Sequence, residues 1–337
     1  MSERIPAAIL VLVTALGGGV VSRATAQAPA PTPSKETSNA PQKESATAAK
    51  AQPVQPKRFA SAEEATEAFV AALRAHDTNA LLGIFGSEAR PVIFSGDPVA
   101  DRRARDAFLQ AFNAGHTLVA KGTDAMTLQV GSDEWPFPIP IVAQGERWRF
   151  DTRQGREEIL ARRIGRNELS TMQVCLAVVD AQREYYGEDR TGRGVLAYAQ
   201  KFRSTPGKHD GLHWETKSGE PLSPLGDLVA RARAEGYRRD QSGGPTPYHG
   251  YLFRMLTSQG PDAPGGAYDY IVRGYMIAGF GLVAYPAQYG VSGVMTFITN
   301  HDGVVYEKDL GPTTAALAAA MRTFNPDKTW STADAAN

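Results

Sequence analysis

Lys208, Asp210, His213 and Trp214 form the densest cluster of polar and aromatic side chains in the chain. A histidine, a carboxylate and a lysine so close in sequence are groups that exchange protons in general acid–base catalysis. Glycines and a proline within the same stretch predict a turn rather than a helix. Two interpretations stay open. The cluster lines a cleft and acts on a small substrate, or it organises a long loop, which is the interpretation that we favour.

Glu188 and Asp189 begin a loop over residues 188–194 that combines acidic residues with glycines, as calcium loops do. Calcium binds several carboxylate or carbonyl oxygens, whereas Arg190 and Arg193 stand where further acids would help. We therefore expect no metal here, with Glu188 and Asp189 as the candidate ligands if one binds.

The usual nucleotide and nucleophile motifs are not found in the sequence. Residues 290–293 lack the spacing and the following helix of a serine nucleophile elbow. Residues 279–284 match Gly-x-Gly-x-x-Ala, but they lie in an apolar segment that predicts a strand rather than the start of a helix. Cys175 is the single cysteine, and its apolar neighbours indicate a buried side chain rather than a reactive thiol. We expect no cofactor.

Aromatic residues crowd the C-terminal part of the chain and suggest a binding surface. The candidate binding residues are Trp214, Tyr248, His249, Tyr251 and Tyr268. Alternation along strands turns half of such tyrosines outward, and tyrosine offers contact area at a low entropic cost. Packing against the neighbouring domain explains the same tyrosines equally well, and His249 is also typical of an imidazole bonded to backbone at a sheet edge.

Length and charge limit the domain organisation and the kinds of partner. The chain has 337 residues with 36 basic and 36 acidic side chains. This length predicts two domains. A balanced charge argues against a nucleic-acid-binding surface, which carries a basic excess.

The first 57 residues carry an export signal and a linker. Residues 1–26 have a basic start, an apolar middle and a small-x-small site at Ala24–Ala26, which predicts a signal peptide. Residues 27–57 have six prolines, seven alanines and no Leu, Ile, Phe, Trp or Tyr, which predicts a disordered linker. No other stretch has 18 consecutive apolar residues. We expect a periplasmic or secreted protein whose mature chain does not span a membrane.

Residues 58–152 predict an α+β domain. A capping box at Ser61–Glu64 begins one helix and Asp77 caps a second. Residues 91–95 predict a strand, and residues 101–114 predict a helix with Phe108 and Phe112 on one face. Four alternating strands follow. This order of elements resembles the cone-shaped fold of the nuclear transport factor two-like superfamily, in which the concave sheet often encloses a ligand pocket.

Residues 153–168 predict a charged connecting helix, and residues 169–330 predict a second α+β domain. A helix from Leu169 with a broad apolar stripe, a short helix carrying Tyr198 and Phe202, and an antiparallel meander are expected. The sequence Asn300–Gly303 predicts a hairpin turn. One long helix followed by a meander resembles the globular head of pilins, without their membrane-spanning half-helix.

Longer stretches together resemble one family over roughly residues 58–330. These stretches are residues 133–138 (DEWPFP), 148–152 (WRFDT), 165–168 (GRNE), 182–185 (QREY), 198–202 (YAQKF), 204–208 (STPGK), 248–251 (YHGY), 265–270 (GGAYDY) and 289–297 (YGVSGVMTF). They are similar to the exported bacterial proteins grouped as domain of unknown function 2950. That resemblance implies export and a shared fold, and it assigns no chemistry and no catalytic residues.

Two functions follow from these patterns. The first is a non-catalytic binding or assembly protein of the cell envelope, with an envelope protein or a small ligand as its partner and no nucleic acid. The alternative is an enzyme that acts on a small exported substrate through Lys208, Asp210 and His213. The sequence favours the first.

Overall fold

Capping side chains begin the first helices of the computed structural model, which describes residues 53–238 and 245–333. Four helices precede the first strand: α1 (Ala62–Arg74), α2 (Thr78–Phe85), α3 (Arg90–Ile93) and α4 (Pro98–Ala114), with a 3₁₀ turn at Ser87–Ala89. The Ser61 hydroxyl accepts a bond from the Glu64 amide at 3.1 Å, and the Glu64 carboxylate accepts one from the Ala60 amide at 2.6 Å. Asp77 caps α2 as expected. These caps satisfy amides that lack partners within the helix.

The first sheet has five antiparallel strands: β1 (His116–Ala120), β2 (Ala125–Val130), β3 (Trp135–Pro136), β4 (Ile141–Gln144) and β5 (Arg147–Phe150). Their order is β1-β2-β4-β5, with β3 also paired to β2. Ile141 lies opposite Phe150 in the register of β4 and β5, and both side chains are fully buried. They join α1 and α2 in one apolar core.

A single helix, α5 (Thr152–Tyr186), continues from this sheet for 35 residues. It includes both the charged segment 153–168 and the apolar segment that follows. At Gly155 the helix passes so close to the first sheet that a Cβ would lie 2.2 Å from the Pro138 carbonyl oxygen. Only glycine fits there, because any side chain would force the helix away from the preceding strands.

The remaining elements follow α5. They are α6 (Gly226–Ala234), β6 (Tyr251–Leu256), β7 (Ser258–Gln259), β8 (Tyr268–Asp269), β9 (Ile271–Val272), β10 (Tyr275–Met276), β11 (Gly281–Pro286), β12 (Met295–Asn300), β13 (Val305–Asp309), a 3₁₀ turn at Gly311–Thr313, α7 (Thr314–Ala320), β14 (Thr323–Phe324) and β15 (Ser331–Thr332). We call α1 to β5 the N-terminal half and the residues after α5 the C-terminal half.

The main sheet of the C-terminal half has the order β15-β13-β12-β11-β6, all antiparallel. The second part of α5 packs on one face through Met172, Cys175 and Val178. The other face is covered by a cluster that includes Ala318 of α7 and Phe324 of β14. Every residue of β11 is therefore buried. The smaller sheets are β14-β7-β8, in which β14 and β7 are parallel, and the pair β9-β10.

Two carboxylates connect parts of the molecule that are distant in sequence. Asp97 caps α4 through one carboxylate oxygen, and its other oxygen accepts bonds from the Tyr237 hydroxyl at 2.8 Å and the Gly250 amide at 2.9 Å. Glu168 on α5 accepts bonds from the Val294 and Met295 amides at 2.9 and 3.0 Å. Because these acceptors are charged, each bond is stronger than one between neutral groups.

Two local predictions are wrong. Residues 91–93 lie in helix α3 instead of a strand, because Pro91 suits a first helical turn and distant arginines bind the helix carbonyls. Tyr198 does not lie on a helix. Its amide bonds to the Met276 carbonyl at 2.8 Å, and its ring stacks on Tyr186 at 4.5 Å, so contacts distant in sequence hold this segment extended.

The α+β class is confirmed, since helices pack on antiparallel sheets in both halves. The hairpin at Asn300–Gly303 is confirmed between β12 and β13, with Gly303 at φ +84°. The domain boundaries at 152 and 168 stay predictions. The signal peptide, residues 1–26, and most of the linker, residues 27–57, lie outside the described residues. Within residues 53–238 and 245–333, no helix is both long enough and apolar enough to cross a membrane.

Candidate functional site

A cavity of about 440 Å³ lies in the N-terminal half, between its helices, its sheet and the first part of α5. This volume is within the roughly 300–1,000 Å³ of small-molecule sites. Its walls are mostly apolar. The phenylalanines that line it are Phe69 on α1, Phe85 on α2, Phe108 on α4 and Phe137 beside β3.

The aromatic wall is a set of rings that hold one another in place. The Phe69 ring lies 5.1 Å from the Phe108 ring and 5.3 Å from the Phe137 ring, and Phe108 lies 5.4 Å from Phe137. These separations are those of favourable aromatic pairs. The wall is therefore formed before any ligand arrives.

Small side chains on α4 leave the cavity open to solvent. Ala104, Ala107 and Ala111 all line it, and their spacing of three and four places them on one helix face. Ala104 and Ala107 are exposed. Larger apolar residues at these positions would close the opening, so the entrance follows from the alanine content of α4.

The helix α3 forms another wall and is held by two arginines. Arg163 on α5 donates to the Pro91 and Val92 carbonyls at 2.7 and 2.5 Å. Arg105 on α4 donates to the Ile93 carbonyl at 2.5 Å. Three carbonyls at the end of this short helix thus gain partners that the helix itself does not supply.

Asp101 is the one carboxylate in the described cavity lining. It is 8% exposed and accepts a bond from the Ser95 amide at 2.9 Å. Burial raises its pKa despite that bond and despite the nearby guanidinium groups of Arg163 and Arg105. Desolvation therefore outweighs the favourable charges.

The mouth of the cavity combines an indole with two arginines. Trp135 on β3 is 38% exposed, and the guanidinium of Arg162 lies 5.6 Å from its ring centroid. Arg162 also pairs with Glu158, one helical turn earlier on α5. Arg166, one turn later, is exposed and also lines the cavity.

The cavity lining offers few groups that can transfer a proton. Among the described residues that line the cavity there is no histidine, cysteine, serine, threonine, lysine or tyrosine, so Asp101 is the sole proton-transfer group besides the arginines. An apolar volume with charged groups at its mouth is suited to hold the apolar part of a ligand and to orient its polar end.

The cluster predicted at residues 208–214 lies elsewhere, on a loop of the C-terminal half. Asp210 accepts bonds from the Lys201 ammonium and the Thr205 amide, both at 2.7 Å. The Lys201 bond is the main cause that lowers the pKa of Asp210. Asp210 therefore closes its own loop and is held ionised by that contact.

The other two acid–base candidates are separate from Asp210. His213 is 6% exposed, and burial lowers its pKa, with Arg203 acting in the same direction. Lys208 is exposed. Over the part of the chain that the structure describes, no hydrogen bond or ion pair joins Lys208, Asp210 and His213 to one another.

Trp214 packs inside this loop region. Its ring stacks on the His209 imidazole at 4.3 Å, and the Arg190 guanidinium lies 5.0 Å from its centroid. Arg190 also lies 5.2 Å from the Tyr185 ring, which ties the loop to α5. The indole thus joins loop segments to the long helix.

The loop at residues 188–194 is held by its own backbone. The Asp189 carboxylate accepts bonds from the Thr191, Gly192 and Gly194 amides and from the Thr191 hydroxyl. Glu188 pairs with Arg190 at 3.2 Å. Among residues 53–238 and 245–333, no group of three or more His, Cys, Asp or Glu side chains is placed to hold a metal ion.

The aromatic candidates of the C-terminal half lie in three places. Tyr248 and His249 pack with Tyr237, and His249 is 2.9 Å from Glu235. Tyr251 is fully buried in the core and donates to the Met295 carbonyl at 2.9 Å. Tyr268 lies 5.7 Å from the Tyr270 ring.

Two expectations about buried groups are confirmed. Cys175 is fully buried, and burial raises the pKa of its thiol to about 12. The Gly-x-Gly-x-x-Ala segment ends in strand β11 rather than opening a helix. Cys175 therefore lacks the exposure that a nucleophilic thiol needs. Residues 279–284 lack the helix start that a dinucleotide site needs.

The residues that define the cavity were not predicted as a site. The spacing of Phe108 and Phe112 predicts one face of α4, and residues 153–168 are predicted only as a charged connecting helix. The sequence offers one signal. Phenylalanine and small alanines share a face of α4, and arginines follow at helical spacing on α5. That signal does not reveal whether the space between them is filled.

Comparison with known proteins identifies a family by its sequence model. Residues 56–333 match a family model described as protein of unknown function, DUF2950. No curated protein and no solved structure matches the chain. The likenesses to the nuclear transport factor two-like cone and to the pilin head therefore stay predictions.

Proposed function

The chain belongs to the DUF2950 family, and from this premise we propose that it is an exported binding protein whose N-terminal cavity holds a small, largely apolar ligand. The observation that carries the proposal is the cavity of about 440 Å³ lined by phenylalanines. The cavity opens to solvent beside Ala104 and Ala107, so a ligand can enter it. An apolar group that enters is removed from water, which favours binding.

The test of binding is a titration of the purified full chain with the neutral fluorescent probe N-phenyl-1-naphthylamine. We expect one probe to bind per chain. Ala107→Trp places an indole at the cavity opening and should abolish binding. Ala114→Trp is the matched control, because Ala114 is exposed on the same helix and does not line the cavity.

Circular dichroism of each variant shows whether the fold is intact, and Ala104→Trp is a second blocking variant if Ala107→Trp does not fold. No probe binding by the folded wild-type chain would overturn the proposal. So would probe binding that both blocking variants leave unchanged.

Export is the second part of the proposal, and it rests on the basic, apolar and small-residue pattern of residues 1–26. The peptide mass at the N-terminus of chain recovered from its host's envelope tests it. We expect the mature chain to begin near Gln27. A chain that retains Met1 in that fraction would contradict cleavage.

A further inference from the structure

The cavity carries an excess of positive charge at one end. Four arginines line it, at positions 105, 162, 163 and 166, against the single carboxylate of Asp101. The charges lie close enough to interact, because Arg105 and Arg166 both lower the pKa of Arg163, after burial as the main cause. A ligand without negative charge would leave this excess uncompensated.

Two of the four arginines are already used by the fold. Arg105 and Arg163 donate to the carbonyls of α3, as described above, and both are half-buried. Their guanidinium groups hold a wall of the cavity. They are therefore not the groups that meet the polar end of a ligand.

The other two arginines lie at the mouth. Arg162 and Arg166 are exposed and stand one turn apart on α5, so they share a helix face. Arg162 has Glu158 as its partner. Within the described ranges, Arg166 makes no hydrogen bond and no ion pair. Like charges at this spacing destabilise a helix slightly, and an anion between them would remove that cost.

Guanidinium groups bind carboxylate and phosphate oxygens through paired hydrogen bonds. Trp135 contacts both the charged rim and the aromatic wall, since its ring centroid is 5.6 Å from the Arg162 guanidinium and 6.4 Å from the Phe137 ring. An amphipathic indole suits a boundary between an apolar interior and a wet rim.

We propose that the ligand is a single-chain amphiphile with an acidic headgroup, whose apolar chain enters the phenylalanine-lined cavity while Arg162 and Arg166 bind the head. This inference rests on the proposed function, since it assigns the class of ligand to the same cavity. A carboxylate head and a phosphate head share the chemistry that the two arginines recognise.

Isothermal titration of the full chain with four probes of equal chain length tests the inference. Dodecanoate and dodecyl phosphate carry the two acidic heads, dodecanol is neutral, and dodecyltrimethylammonium is cationic. Each probe is kept below its micelle concentration. We expect the acidic probe with the preferred head to bind at least tenfold more tightly than dodecanol, and the cation to bind more weakly than dodecanol. The tighter of the two acids identifies the head.

The length of the probe's apolar chain provides a second test of the same site. Each methylene buried in an apolar cavity contributes about 0.8 kcal/mol, which is about fourfold in Kd. Decanoate should therefore bind more weakly than dodecanoate by about sixteenfold, if both chains are fully buried. An equal affinity of the two would contradict an enclosed tail.

Substitution of the arginines separates the head from the tail. The double variant Arg162→Gln/Arg166→Gln should weaken binding of the preferred acid about tenfold and leave dodecanol unchanged. Arg147→Gln is the matched control, because Arg147 is exposed on β5 and does not line the cavity.

Equal affinities of the acids and dodecanol would overturn the inference while the proposed function stands. So would a double variant that weakens the acid and dodecanol to the same extent. If none of the four probes binds to the folded chain, the proposed function itself fails, and the two failures are thereby distinguished.

Discussion

The two large sheets of the molecule differ in how completely side chains fill the space between each sheet and its helices. In the N-terminal half, α1, α2 and α4 pack on the sheet, and a cavity of about 440 Å³ remains between these helices, α3, α5 and the sheet. In the C-terminal half, α5 packs on one face of the sheet and α7 on the other, and β11 is buried throughout. One half thus provides space for a ligand, and the other provides a filled core.

The difference lies in the residues that face each sheet. Alanines line the cavity on α4 beside Phe108, and their small side chains leave it open. In the other half the apolar stripe of α5 meets Leu282 and Phe297 of the sheet directly. The cavity therefore depends on the small residues of α4 rather than on the α+β class, which both halves share.

The largest expected effect comes from truncating a filled core. Phe297 is fully buried, and Phe297→Ala should lower the free energy of unfolding by about 3–5 kcal/mol. Phe108 is half-buried and borders the cavity, so Phe108→Ala should cost only about 1–2 kcal/mol. Urea unfolding of both variants measures the difference. Equal losses would show that the cavity is packed as tightly as the core.

The second effect tests the contact between the halves. Asp97→Asn replaces a carboxylate oxygen by an NH₂ group. That group then faces the Tyr237 hydroxyl and the Gly250 backbone N–H, which are both donors and need an acceptor. We expect a loss of about 2–3 kcal/mol, because buried donors are left without partners. Asp77→Asn is the control, since Asp77 caps α2 through local amides only and asparagine caps nearly as well. Equal losses for the two variants would contradict a role of Asp97 between the halves.

A smaller effect is expected where α5 meets the C-terminal sheet. Glu168→Gln replaces a charged acceptor of the Val294 and Met295 amides by a neutral one, which should cost about 1 kcal/mol. Glu184→Gln, on an exposed part of the same helix, should have no measurable effect. A loss that is the same in both variants would assign it to helix charge rather than to this contact.

The smallest effect is a dependence of stability on pH. Burial lowers the pKa of His213 below the ordinary value of 6.5, with the charges of Arg203, Glu215 and Arg233 nearby. The unfolded chain therefore binds a proton there more readily than the folded chain does. The stability that this histidine contributes is complete above pH 6.5, and it is lost as the pH falls from there to the lowered pKa of the folded chain.

Urea unfolding at pH 7.5 and 5.5 measures this loss, and His213→Gln should reduce it. Asp101, whose pKa burial raises, acts with the opposite sign in the N-terminal half. Asp101 is present in both the wild type and His213→Gln. The difference between their pH dependences of stability therefore reports on the histidine alone. An unchanged pH dependence in the variant would show that His213 titrates as it does in the unfolded chain.

Local signals predicted much of the fold. The caps at Ser61 and Asp77, the hairpin at residues 300–303 and the buried Cys175 depend on neighbours in sequence or on a helix stripe, and the structure has them. The helix at residues 90–93 depends instead on Arg105 and Arg163, which are distant in sequence. Sequence alone does not provide such contacts.

The resemblance to a cone-shaped fold implies a pocket in this half, but the sequence does not identify the residues that line it, for a related reason. The residues that form it were visible as phenylalanines, alanines and arginines at helical spacing. A void, however, depends on how far apart the backbones of α4, α5 and the sheet are held. The cluster at residues 208–214 is the opposite case. Its residues are close in sequence, but Asp210 binds Lys201 and Thr205 of its own loop instead of the other acid–base candidates.

The most direct test of a ligand in the N-terminal cavity is native mass spectrometry of the chain recovered from its own host. We predict an added mass on the wild-type chain that denaturation releases, the same added mass on Ala114→Trp, and none on Ala107→Trp. A bare wild-type chain, or an added mass that Ala107→Trp retains, would contradict the account.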